Sequence, residues 1–144
     1  MKPGILLTRI WSDDDVIELR IDVSDGVAFF SNSTYVVYST LTETIADLNR
    51  FKDQIYSGLL DVRFGEFGPE YAGGAFHARF HFAKPGRLFV TCKQQSDFQD
   101  FSIKKVASEA TLYLKSEPVL LDRFLASIGA LMTEHGATAY LEAV

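Results

Sequence analysis

Two of the three histidines, His77 and His81, stand four residues apart with Arg79 midway between them. Imidazoles ligate metals and move protons, and a guanidinium grips carboxylates or phosphates. A pair of histidines at this spacing chelates zinc when it lies on one face of a helix. Here the flanking residues alternate instead. Phe76, Ala78, Phe80 and Phe82 point one way while His77, Arg79 and His81 point the other, the period of a half-buried strand. Four strand residues span about 13 Å, so the two rings cannot share one metal ion. His77, Arg79 and His81 therefore form a candidate binding face. Acid or base work by either histidine would need an orienting carboxylate or a nucleophile that the neighbouring sequence does not supply.

Asp13, Asp14 and Asp15 are the second candidate, since three successive carboxylates attract a divalent cation. They lack the alternate spacing, the glycine and the later glutamate that wrap a chain around calcium, so the segment reads as an acidic turn that offers a binding surface and no metal site. Gly68 to Gly74 is glycine-rich, but no Lys-Ser or Lys-Thr follows and the next element is a strand, which argues against a phosphate loop. The G-x-S-x-G turn of a serine nucleophile is absent. Cys92 is the single cysteine and stands on an alternating strand, so it reads as a buried apolar residue. Neither a catalytic residue nor a cofactor is expected, and the chain reads as something other than an enzyme.

The elements that must position these residues follow from periodicity. Ile5 to Trp11 reads as a strand, Ser12 to Asp15 as a turn, and Val16 to Val23 as a strand with Ile17, Leu19, Ile21 and Val23 inward and Glu18, Arg20 and Asp22 outward. Ser24-Asp25-Gly26 makes a hairpin turn into a third strand, whose pattern fails at Ser31-Asn32-Ser33-Thr34 and predicts a bulge or bend there. Thr40-Leu41-Thr42-Glu43 has the form of a capping box, and Leu41, Ile45, Leu48, Phe51 and Ile55 recur at helical spacing, so a helix is expected from Leu41 to Tyr56 with Gly58 as its stop. Asp61 to Phe67 reads as a strand with Val62 and Phe64 on one face. Gly74 to Gln94 reads as a hairpin turning at Lys84-Pro85-Gly86-Arg87. A polar connection from Ser96 to Phe101 leads to a last strand around Thr111 to Leu114. Pro118 opens a second amphipathic helix carrying Leu120, Leu121, Phe124, Leu125, Ile128, Leu131 and Met132, closed by Gly136, and Ala137 to Val144 either frays or adds an edge strand.

Residues 1–144 thus read as a single α+β domain, a mostly antiparallel sheet of about seven strands with two amphipathic helices in the order βββαββββα. Twelve phenylalanines and six tyrosines against one tryptophan suit a β-rich core. The net charge of -5 disfavours nucleic acid and anionic membranes as partners and favours a basic protein. With no apolar run long enough for export or membrane insertion, the cytoplasm is the expected location.

Asp15-Val16-Ile17-Glu18-Leu19-Arg20-Ile21-Asp22-Val23, the helix opening Thr40-Leu41-Thr42-Glu43 and the ending Glu117-Pro118-Val119-Leu120-Leu121-Asp122-Arg123-Phe124 carry a resemblance to small bacterial α+β proteins of the WapI-like immunity family of polymorphic toxin systems. The interval from Cys92 to Leu112 is longer than in that group. The resemblance implies a non-enzymatic protein-interaction module that neutralises a cognate toxin domain, and it assigns no functional residue. The alternative is a small-ligand-binding protein or enzyme with a pocket beside His77, Arg79 and His81, and pairing of sheet faces would make the chain a homodimer.

Overall fold

The first three strands, β1 (Gly4–Ser12), β2 (Val16–Ser24) and β3 (Phe29–Val37), form an antiparallel meander in which Ile17, Leu19, Ile21 and Val23 are fully buried as their alternation requires. The structure, a computed structural model, describes residues 1–71 and 73–144. Helix α1 (Tyr38–Phe51) leads to β4 (Leu59–Gly65), β5 (Ala75–Lys84) and β6 (Arg87–Gln95). A small hairpin of β7 (Gln99–Phe101) and β8 (Lys104–Val106) precedes β9 (Glu109–Ser116), α2 (Pro118–Ile128), a 3-10 turn Gly129–Met132 and β10 (Thr138–Glu142). The α+β class, the antiparallel pairing and the two helices agree with the sequence.

Among the described residues the strands number ten, not about seven, and they divide into two four-stranded antiparallel sheets of order β10-β1-β2-β3 and β4-β5-β6-β9, with β7-β8 apart. The inward faces of both sheets and the apolar stripes of both helices close on one core that runs from Ile5 and Leu7 to Phe124 and Ile128. Phe51 of α1 lies against the phenylalanine face of β5, stacked on Phe82 at 5.0 Å and edge-on to Phe80 at 6.0 Å. Where both sheets and both helices meet, the residual gap is about 10 Å³ and wholly apolar, so it holds no ligand.

No bulge interrupts β3. Its register with β2 is continuous from Ser24↔Phe29 to Val16↔Val37, and the polar tetrad is where the two sheets are tied together. Asn32 and Thr34 face inward: the Asn32 amide donates to the Ala75 carbonyl at 3.3 Å and the Thr34 hydroxyl to the Gly74 carbonyl at 3.1 Å. Gln94 on β6 completes the join, donating to Asn32 Oδ1 at 2.8 Å and to the Ile21 carbonyl at 3.1 Å. Buried polar groups that find partners across a sheet junction replace the apolar residues that periodicity would place there.

Helix α1 begins at Tyr38 instead of Leu41, and no side chain caps it. Thr40 lies in its first turn with its carbonyl accepting the Thr44 hydroxyl, so the capping box does not form. The reason is the sheet: β3 stays paired through Val37, and the Tyr38 ring is anchored by its hydroxyl on the Asp13 carbonyl at 2.9 Å, with the guanidinium of the buried Arg9 over it. The helix ends at Phe51, short of Tyr56. Residues 52 to 58 turn back, with Gly86 donating to the Ile55 carbonyl and Phe82 to that of Gly58, which pins the segment to the β5-β6 hairpin. Gly58 is thus a turn residue and not a helix stop.

Pro118 stands at the start of α2 as expected. The α-helical bonding stops at Ile128, and Leu131 and Met132 belong to the 3-10 turn before Gly136, whose φ of +77° lets its N–H reach the Arg9 carbonyl. The tail adds an edge strand, β10, against β1. The connection after β6 holds the β7-β8 hairpin, which the patchy polarity of Ser96 to Val106 does not reveal. Among the described residues, no helix is long and apolar enough to cross a membrane. The glycine-rich segment Gly68 to Gly74 is irregular where described; Ala72 within it lies outside the described residues.

Candidate functional site

The outer face of the second sheet collects His77, Arg79 and His81. Register places three rows of four side chains side by side across β4, β5, β6 and β9. The first row is Arg63, His77, Lys93 and Thr111, the second Asp61, Arg79, Thr91 and Tyr113, and the third Leu59, His81, Phe89 and Lys115. The sequence folds this way because each of the four strands alternates, so burying Val62, Phe76, Val90 and Leu112 obliges the intervening residues to face out.

Asp61 sits opposite Arg79 and receives two hydrogen bonds from it, Nε to Oδ1 at 2.9 Å and Nη2 to Oδ2 at 3.2 Å. His77 Nε2 lies 2.8 Å from the same Oδ1. The Arg79 guanidinium, assisted by His77, holds the Asp61 carboxyl at about 2, well below its ordinary value, against a smaller upward push from burial. Asp61 supplies the orienting carboxylate that the neighbourhood of His77 lacks in sequence, but its two oxygens are both engaged. His81 stands one row away, between Leu59 and Phe89, and takes no part. The hollow lined by His77, Arg79, Thr91 and Lys93 measures about 190 Å³, below the roughly 300 Å³ at which small-molecule pockets begin.

Asp13, Asp14 and Asp15 are on the turn between β1 and β2, in the other sheet. Asp13 Oδ1 accepts the N–H groups of Asp15 and Val16, both at 2.8 Å, and these bonds, that of Val16 foremost, lower its pKa. The carboxylate closes its own turn. Among the described residues, no three His, Cys, Asp or Glu side chains converge as metal ligands. Cys92 is buried on the inner face of β6, and burial pushes its thiol up to about 12.

A larger hollow, about 550 Å³, lies elsewhere, between the free edges of β3 and β4, with Tyr35, Val37 and Phe67 on its walls and Arg63 and Glu66 as its charged residues. It is an open cleft without a proton-transfer pair. Arg63 stands where this cleft borders the outer face.

Asp61, Arg63, Thr91, Lys93, Tyr113 and Lys115 join the site without having been singled out by sequence. The alternation of β4 already puts Asp61 and Arg63 opposite Val62 and Phe64, but only the pairing of strands sets Asp61 beside Arg79. Comparison of the chain with protein-family models, with curated proteins and with solved structures gives no match.

Proposed function

We propose that the chain is a non-enzymatic protein-interaction module working through the outer face of its second sheet, and that an immunity protein against a toxin domain is the form this function takes. The observation that supports the reading is the shape of the site: twelve contact-capable side chains in three rows lie on an open sheet, with one hollow beside His77 and Arg79 and another at the Phe89 and Lys115 border. A flat face of mixed charged, hydroxyl and aromatic groups suits a protein surface, where a few exposed anchors such as Tyr113 and Leu59 become buried on contact. The one carboxylate of the face, Asp61, is taken up by Arg79 and His77.

The test is protection. Cells expressing a toxin domain encoded beside the gene should survive when this chain is co-expressed, and Tyr113→Ser with Leu59→Ser should weaken both protection and binding by calorimetry. Arg20→Ala on the outer face of the first sheet should change neither. Unimpaired binding by the Tyr113 and Leu59 variants would remove this face from the function.

The small-ligand reading rests on the contact between His77 and Asp61 beside the hollow. Titration of wild type and His77→Ala with small anions by NMR tests it. Shifts centred on His77, Arg79 and Thr91 in wild type alone would support that reading.

A further inference from the structure

Charge is not spread evenly over this acidic chain. The twelve-residue outer face of the second sheet carries Arg63, Arg79, Lys93 and Lys115 against one carboxylate, Asp61. That is a net +3 on a chain of -5, which leaves -8 on everything else. Asp61 is neutralised by Arg79, and among the described residues Arg63, Lys93 and Lys115 make no salt bridge. At the third row the strip continues into the hairpin turn, where Lys84 and Arg87 line a hollow together with Phe89 and Lys115. At the opposite end it stops, because Gln95 accepts the Gly68 N–H at 2.9 Å and donates to Glu109 at 2.6 Å, closing that border with an acidic residue.

We infer that this face docks an acidic patch of a partner protein, whose aspartates and glutamates meet Arg63, Lys93 and Lys115. The inference rests on the interaction-module reading and names its partner by charge, acidic where the net charge of -5 alone favours a basic one, because the proposed face carries +3. Arg63, Lys93 and Lys115, which have no salt-bridge partner among the described residues, are spread over β4, β6 and β9 and suit a patch of several carboxylates, and the hydroxyls of Thr91, Thr111 and Tyr113 on the same face can donate to such oxygens. The net -8 borne by the remaining residues helps orient the approach, since an acidic partner is on balance repelled by the rest of the molecule and drawn to this face. A nucleic acid fits less well. Its continuous phosphate charge feels the net -5 along its length, and the rings that could stack bases, Tyr113 and the half-covered Phe89, are a single diagonal pair on β6 and β9, too short a platform to follow a strand of bases.

The probes are poly-L-glutamate and a twenty-nucleotide oligo-dT, each titrated into the full chain at low and at physiological salt and followed by amide shifts and anisotropy. Poly-L-glutamate should bind wild type at low salt with shifts confined to β4, β5, β6 and β9, weakening as salt rises. Arg63→Glu, Lys93→Glu and Lys115→Glu combined, all exposed positions, should lower that affinity by about tenfold or more. Circular dichroism and thermal melts confirm that this variant folds, and Lys93→Gln alone should give a smaller loss. No binding of poly-L-glutamate at low salt, or binding untouched by the charge reversal, overturns the inference. Tighter binding of oligo-dT does so too, and assigns the face to nucleic acid. If poly-L-glutamate fails while Tyr113→Ser with Leu59→Ser still weakens protection, the acidic partner is wrong and the interaction face stands; if those variants also have no effect, both fall.

Discussion

Asp61 is the residue on which the candidate face turns. Its carboxyl titrates at about 2 because Arg79 bonds both oxygens, so the ion pair stabilises the fold fully above the ordinary carboxylate value near 3.8 and is lost as pH falls from there toward 2. Arg79 is half exposed, and solvent screening reduces the contribution to about 1 kcal/mol. Asp61→Asn should therefore lose about that much stability at pH 7 in urea melts and keep only a small part of the deficit at pH 2, where the folded carboxyl is half protonated; an equal deficit at both would show that the loss is not electrostatic. Cys92 offers a second check. With its thiol raised to about 12 by burial, it should ignore Ellman's reagent in the native protein and react fully in denaturant. His77, Arg79 and His81 were legible as one face from their alternation alone. Asp61 was not, because it lies 18 positions from Arg79 along the chain, which leaves only strand pairing to bring them together.

At the scale of elements, the join between the sheets is the feature with the clearest consequences. Gln94 donates to Asn32 Oδ1 and to the Ile21 carbonyl while Asn32 donates to the Ala75 carbonyl, so removing Gln94 leaves Asn32 Oδ1 buried without its donor and removing Asn32 leaves the Ala75 carbonyl without its side-chain bond. Asn32→Ala and Gln94→Ala should each cost about 2 kcal/mol, and the double variant should cost less than their sum by about 1 kcal/mol in a double-mutant cycle; strict additivity would show that the pair is not coupled. Gly74 lies at the same junction with φ +90°, and a Cβ there would strike the Ser33 carbonyl. Gly74→Ala should destabilise by roughly 2 kcal/mol or more, read as a lowered melting temperature. Phe51→Ala, which empties the stack on Phe82, should cost about 3 to 4 kcal/mol. Most strands could be read from period-2 alternation, since burial of one face repeats locally. The bounds of α1 could not. They are decided by how far β3 stays paired with β2 and by bonds from residues 52 to 58 to a hairpin that follows them in sequence.

For the whole molecule, one core shared by two sheets and two helices predicts one cooperative transition. Far-UV dichroism and the fluorescence of Trp11, on the first sheet, should report the same midpoint, and separated curves would mean that the sheets unfold independently. The same scale decides charge. Composition determined a net charge of -5, and the pattern of apolar residues determined the α+β class, the inward phenylalanines of β5 and the outward row of His77, Arg79 and His81, because these depend on residue type and local period. Division into two sheets, the use of Asn32, Thr34 and Gln94 as their tie, and the gathering of Arg63, Lys93 and Lys115 onto one face were decided by tertiary structure alone. These depend on which strands become neighbours, and strand pairing is a long-range choice settled by how all the apolar faces can be buried at once.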